Sequence, residues 1–228
     1  MSLIYRLLFI FICTLSFGCI SNGGELGIPN ILSLVYKSDM KGVEGFLSKK
    51  NLSKDQCSAL LFNARNIDMS SLLINFGADP KAIDSHRRTL LMQASQDGNI
   101  ELTKFYINKG LNINQKDKYG RTALYYSAGN PSDGVAKLLI ESGAYIDVQN
   151  SEGLTPLMFS ASEGCVSVFK YLLENNADQN IIDAKGKDLD WYISIHRAYK
   201  DEEDIKKMKK LVTEHVNTVS VSQIDIVK

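Results

Sequence analysis

An excess of charge of either sign is the first thing this chain lacks: 26 Lys and Arg stand against 26 Asp and Glu in 228 residues. That balance removes the usual electrostatic argument for gathering nucleic acid or an anionic membrane surface, and no nucleic-acid partner is expected. Proline is scarce at four residues and the 16 glycines are no excess, so the chain is neither low-complexity nor collagen-like. Histidine is nearly absent. His86 sits beside Arg87 and Arg88, a poor place for a metal cation, and His196 and His215 fall on late helical segments, so no metal site and no cofactor are expected. There is no G-x-S-x-G, no Gly-rich phosphate loop and no H-E-x-x-H, so no enzyme is expected. What is present is 44% hydrophobic and 23% charged residues, enough to bury the core of one domain of ordinary size.

Long hydrophobic runs are missing too, with one short exception. Arg6 is the only charge before Glu25, and the mostly apolar run Leu7 to Phe17 that follows it has 11 residues. As a helix it covers about 16 Å, half of a bilayer core, so it reads as the apolar part of a signal peptide rather than a membrane span. The run ends in Leu15-Ser16-Phe17-Gly18-Cys19, which resembles the lipobox of bacterial lipoproteins. Gly18 and Cys19 match, whereas Ser16 stands where Leu is commonest and Phe17 is bulkier than usual. The resemblance implies cleavage of residues 1–18 and acylation of Cys19 on its sulfur and its new amino group. Several acyl chains would hold the chain stably to a membrane. Ile20 is not the Asp that, in enteric lipoproteins, retains the protein at the inner membrane, which implies the outer membrane, periplasmic side. The alternative is an ordinary signal peptide with an incidental Cys, and a secreted or soluble periplasmic protein. Residues 19–30 then form a short Gly-containing tether.

The remainder repeats. Thr89, Thr122 and Thr155 recur at a period of 33, as do Asp84, Asp117, Asn150 and Asp183. Gly120, Gly153 and Gly186 form a third series, and Gly77, Gly110 and Gly143 a fourth. The segments DSHRRTLLMQAS, DKYGRTALYYSA and NSEGLTPLMFSA resemble the ankyrin repeat and its T-P-L-H-x-A signature. The resemblance implies an all-α solenoid of helix–turn–helix units with β-turn fingers, about five to six helical pairs once degenerate end units are counted. The repeat domain is placed at residues 31–216, with the best repeats at 84–116, 117–149 and 150–182, and residues 217–228 as a tail.

Each repeated position has a physical reading. Asx and Gly bracket a tight turn, Thr caps the first helix, and Pro156 sits at a first turn where a missing N–H costs little. Leu91, Leu124 and Leu157 are expected between the paired helices, with Ala94, Ser127 and Ser160 letting neighbouring units approach. Leu102-Phe105-Tyr106, Ala136-Leu138-Leu139 and Val168-Tyr171-Leu172 supply the inner face of the second helices. Outside these repeats the pattern loosens. The unit before Asp84 is expected to start its first helix at Gln56-Cys57-Ser58, and the one after Asp183 resembles a first helix with one residue deleted. Met92, Tyr125 and Met158 replace the signature His, which puts the stiffness of the turns in question. Cys57 and Cys165 lie about three repeats apart, roughly 30 Å, too far for a disulfide.

The resemblance also implies where function lies. Ankyrin proteins bind other proteins through their turns and the concave face of the first helices. In this sequence those places hold His86, Arg88, Tyr119, Arg121, Tyr126, Glu152, Leu154, Phe159 and Trp191, a row rich in the Tyr, Trp and Arg of interface hot spots. The competing reading makes Tyr126 and Phe159 packing between repeats. The expected function is a non-enzymatic, monomeric protein-binding module, lipid-anchored in a bacterial envelope, such as an inhibitor or immunity protein against a toxic enzyme. The alternative is a scaffold or stabilising partner of an envelope enzyme or assembly.

Overall fold

The computed structural model describes residues 28–195 and 201–225, with side chains over 31–195 and 201–215. The signal segment, Cys19, most of the tether and His196 lie outside the described residues. Among the described residues there are twelve helices: α1 (Ile28–Tyr36), α2 (Met40–Leu47), α3 (Lys54–Leu61), α4 (Ile67–Asn75), α5 (Leu90–Gln96), α6 (Ile100–Asn108), α7 (Ala123–Ser127), α8 (Gly134–Glu141), α9 (Pro156–Glu163), α10 (Val166–Glu174), α11 (Leu189–Ser194) and α12 (Glu202–Asp225). They form six consecutive pairs. First helices α5, α7, α9 and α11 stack on one another, second helices α2, α4, α6 and α8 do the same, and α12 closes on α10 and α11.

The repeated residues produce this stack through local bonds. Thr89, Thr122 and Thr155 are N-caps whose hydroxyls accept from the backbone N–H of Met92, Tyr125 and Met158. Pro156 occupies the first turn of α9 as expected. Gly77, Gly110 and Gly143 follow the second helices in the left-handed region, and Asn176 takes that place after α10 at φ +63°. Leu91 and Leu124 are fully buried, as is Leu157 at 1% exposure. In the second helices Leu102, Tyr106, Ala136, Leu139, Val168 and Leu172 are buried, whereas Phe105, Leu138 and Tyr171 are only half-buried and Phe169 is fully enclosed. Ser127 and Ser160 are buried with their hydroxyls returned to the carbonyls of Leu124 and Leu157, so small size and internal bonding let adjacent units touch.

The end units depart from expectation in register. Helix α3 begins at Lys54, two residues before Gln56, because Ser53 and Gln56 form a capping box: Gln56 N–H donates to Ser53 Oγ at 3.2 Å and Ser53 N–H to Gln56 Oε1 at 2.9 Å. The last unit has no deletion. Asp188 stands at the Thr position, five residues after Asp183, and accepts from Trp191 N–H at 2.9 Å. Helix α1 starts inside the segment expected as tether, and α12 runs on to Asp225, past the boundary expected at 216. Met208 of α12 is fully buried, and Lys207 reaches Glu203 at 3.9 Å.

Two finger glycines separate strain from close contact. Both take left-handed backbone, Gly153 at φ +83° and Gly186 at φ +74°. A Cβ at Gly186 would meet nothing within 4 Å, while one at Gly153 would lie 2.5 Å from Ala184 N. Gly186→Ala should therefore cost about 1–2 kcal/mol from conformation alone. Gly153→Ala should exceed it by about 1 kcal/mol or more, because the next finger must move. Equal losses in urea unfolding would show that the fingers do not touch in solution.

Candidate functional site

The fingers are built around one side-chain oxygen each, on buried Asp117 and Asp183 and on half-buried Asp84 and Asn150. Asp84 Oδ1 accepts from the backbone N–H of His86 and Arg88, at 2.9 and 2.8 Å. Asp117 Oδ1 does the same for Tyr119 and Arg121, Asn150 Oδ1 for Glu152 and Leu154, and Asp183 Oδ1 for Lys185 and Lys187, all within 2.7–2.9 Å. The tips then join. Lys118 N–H donates to His86 O at 2.8 Å, Ser151 N–H to Tyr119 O at 2.8 Å, and Ala184 N–H to Glu152 O at 2.9 Å. Four tips thus make one continuous row, in which backbone bonds join neighbouring fingers although the signature His is missing.

The second carboxylate oxygen accounts for several of the expected binding residues. Arg88 Nε donates to Asp84 Oδ2 at 2.7 Å. Asp117 Oδ2 accepts from Arg121 Nε at 2.9 Å and Tyr126 Oη at 2.8 Å, and is ion-paired with Arg121 Nη2 at 2.8 Å. Asp183 Oδ2 accepts from Tyr192 Oη at 2.6 Å. The unit built on neutral Asn150 has Leu154 and Phe159 at the places of Arg121 and Tyr126. Where the Asx side chain carries no charge, both polar partners are gone. Tyr126 is buried at 8% exposure, so it does not lie on the surface as expected, and Arg88 and Arg121 are engaged by their own turns. Leu154 is half-buried against the core, and Phe159 stacks on Tyr125 at 4.5 Å and 13° over the space left by Gly129. Arg88, Arg121 and Tyr126 thus brace their own turns, and Leu154 and Phe159 pack within the stack. This Asx-to-partner pattern was present in the sequence at offsets of four and nine residues.

What stays exposed is His86, Tyr119, Glu152 and Trp191. His86 and Tyr119 stack at 6.1 Å between neighbouring tips, and the Arg121 guanidinium lies between the Tyr119 and Tyr126 rings at 4.7 and 4.8 Å. Trp191 packs edge-on against Tyr192, with Lys187 Nζ 3.7 Å from its ring centre. Trp191 occupies the place that Met158 holds one unit earlier and Tyr125 two units earlier; Tyr125 is buried and stacks on Phe159, whereas Trp191 is 39% exposed.

Titration follows the same bonds. Burial pushes the Asp117 carboxyl up, but the bonds from Arg121, Tyr126 and Tyr119 outweigh it and hold the group below the usual carboxylate range. Asp183 is lowered likewise against its burial by Tyr192, Lys187 and Lys185. Burial, together with the bonded carboxylates, raises Tyr126 and Tyr192. Cys57 and Cys165 are free and buried; burial raises both thiols, Cys165 to about 11 with Glu163 and Asp204 nearby. Neither is poised as a nucleophile. Among the described residues no group of three or more His, Cys, Asp or Glu could hold a metal ion, and no helix is long and apolar enough to cross a membrane.

A comparison with curated proteins finds no match for the chain. Residues 91–183 match the family model for ankyrin repeats (3 copies). That stretch is therefore built of ankyrin repeats, of the kind that serve as protein–protein interaction modules, and the helical pairs on either side of it continue the same all-α stack among the described residues.

Proposed function

We propose that this chain is a non-enzymatic, monomeric binding module, anchored by acyl chains on Cys19 in a bacterial envelope, that captures another protein with its finger tips and the adjoining concave face. The observation that carries the binding surface is the bonded tip row. It leaves His86, Tyr119, Glu152 and Trp191 exposed along one edge, after the core, caps and turn carboxylates have taken their partners. Aromatic groups fixed in this way lose little freedom on binding. The Gly18-Cys19 junction after an apolar run supports the anchor, and Ile20 supports the outer membrane, periplasmic side. A binding surface exported without chemistry of its own suits an inhibitor or immunity protein that masks a toxic enzyme.

The test uses the full chain. Cys19→Ser should abolish palmitate labelling and release the protein from the membrane fraction; unchanged labelling would refute the anchor. For the surface, His86→Ala with Tyr119→Ala should weaken capture of a partner cross-linked at the tips by about 2 kcal/mol or more. The melting temperature should barely move, since exposed substitutions stay within about 0.5 kcal/mol. Arg121 is unsuitable for this pair because it braces Asp117. Capture that survives this pair but is lost on Lys104→Glu with Lys137→Glu would move the interface to the second helices.

A further inference from the structure

The balanced total charge conceals a segregated one. Along the tips, in bonded order, stand Arg87, Lys118, Glu152 and Lys185, all exposed. None of the four makes an ion pair among the described residues, whereas Asp84, Asp117 and Asp183 beneath them are consumed by the turns and their own partners. The tips therefore present three cations and one anion. Part of the balancing charge lies elsewhere, as in the acidic first turn of α12, Glu202 to Asp204.

Resting on the protein-binding reading above, we infer that the partner is a protein that meets the tip row with an acidic face, interrupted by one basic or neutral place opposite Glu152. Charge complementarity of this kind selects a partner and speeds encounter. The spacing supports a folded protein rather than a polyanion. Adjacent units repeat every 8–10 Å or so, and the third of the four tips carries the opposite sign. A uniformly negative duplex or lipid surface would place a phosphate against Glu152, at a cost that a protein face avoids. Only two net charges remain on the row, too few for the counterion release on which nucleic-acid affinity depends.

The full chain, titrated by fluorescence anisotropy with a labelled oligo-glutamate peptide, tests the inference. The peptide should bind, weaken as salt rises, and lose about tenfold in affinity on Lys118→Glu with Lys185→Glu. Lys104→Glu with Lys206→Glu, an equal charge change on exposed second-helix positions, should leave it unaltered. Glu152→Lys should strengthen it. Equal binding by the Lys118/Lys185 variant, or tighter binding of a short DNA duplex or of phosphatidylglycerol vesicles than of the peptide, would overturn the acidic-protein class. If the peptide fails to bind while capture still depends on His86 and Tyr119, the acidic class is wrong and the binding surface stands. If capture ignores those residues as well, the protein-binding reading of the tips is wrong.

Discussion

Leu124→Ala should lower stability by about 2–5 kcal/mol, the range for truncating an enclosed leucine. Leu124 is fully buried in α7, which packs on α5, α8 and α9, so the lost methyls leave a void against several helices. Helix α7 has only five residues and no length with which to relax around it. The position adds to the effect. In a stack where each unit contacts only its neighbours, a central defect uncouples the two sides, and unfolding should broaden or split into two steps. Ile83→Ala, at a residue 47% exposed, is the control and should stay within about 0.5 kcal/mol. Urea unfolding followed by circular dichroism measures both. A loss below about 1 kcal/mol at Leu124 would mean that the core there is looser than the structure shows.

Asp117→Ala should be at least as costly, about 3–5 kcal/mol, as for other buried charges stripped of a partner. Its side chain is fully buried, accepts two backbone bonds, one from Arg121 Nε and one from Tyr126, and is ion-paired with Arg121. Removal strands a guanidinium and a buried hydroxyl and frees the turn. The chain supplies its own control, because the next unit solves the same turn with Asn150, Leu154 and Phe159. Asp117→Asn with Arg121→Leu and Tyr126→Phe copies that solution and should recover most of the loss. Failure to recover would show that the charge itself, rather than satisfied bonding, sustains the turn.

The same group sets an acid limit. A carboxyl held below its unfolded value contributes stability above the ordinary carboxylate range and loses it as pH falls through the lowered value. Asp117 and Asp183 are both lowered, so stability should fall below about pH 4. The Asn variant with its two matching changes should show a shallower fall.

How much of this was legible follows from the range of the forces involved. Thr caps, Asx turns and left-handed glycines act within four or five residues, so Thr89, Asp117 and Gly120 announce themselves by spacing. Stacking one unit on the next needs only that spacing to persist, which is why the solenoid could be read before any coordinates. At the ends the pattern weakens because Ser53 caps in place of Thr and Asp188 caps in place of Thr; the physics is conserved while the letters change.

The surface was less legible, and the reason is physical. Arg, Tyr and Leu serve equally well as hot spots and as braces, and which they become depends on where the side chain ends. Arg88, Arg121 and Tyr126 turn inward to carboxylates, Leu154 and Phe159 fill space where the carboxylate is an amide, and His86, Tyr119, Glu152 and Trp191 are left facing water. Sequence by itself determined the repeat, its helices and its turns, because these are local bonds repeated. Only the tertiary structure decided which side chains are spent within the stack and which remain on the tips, because burial and the bonds between neighbouring fingers exist only once the units have packed.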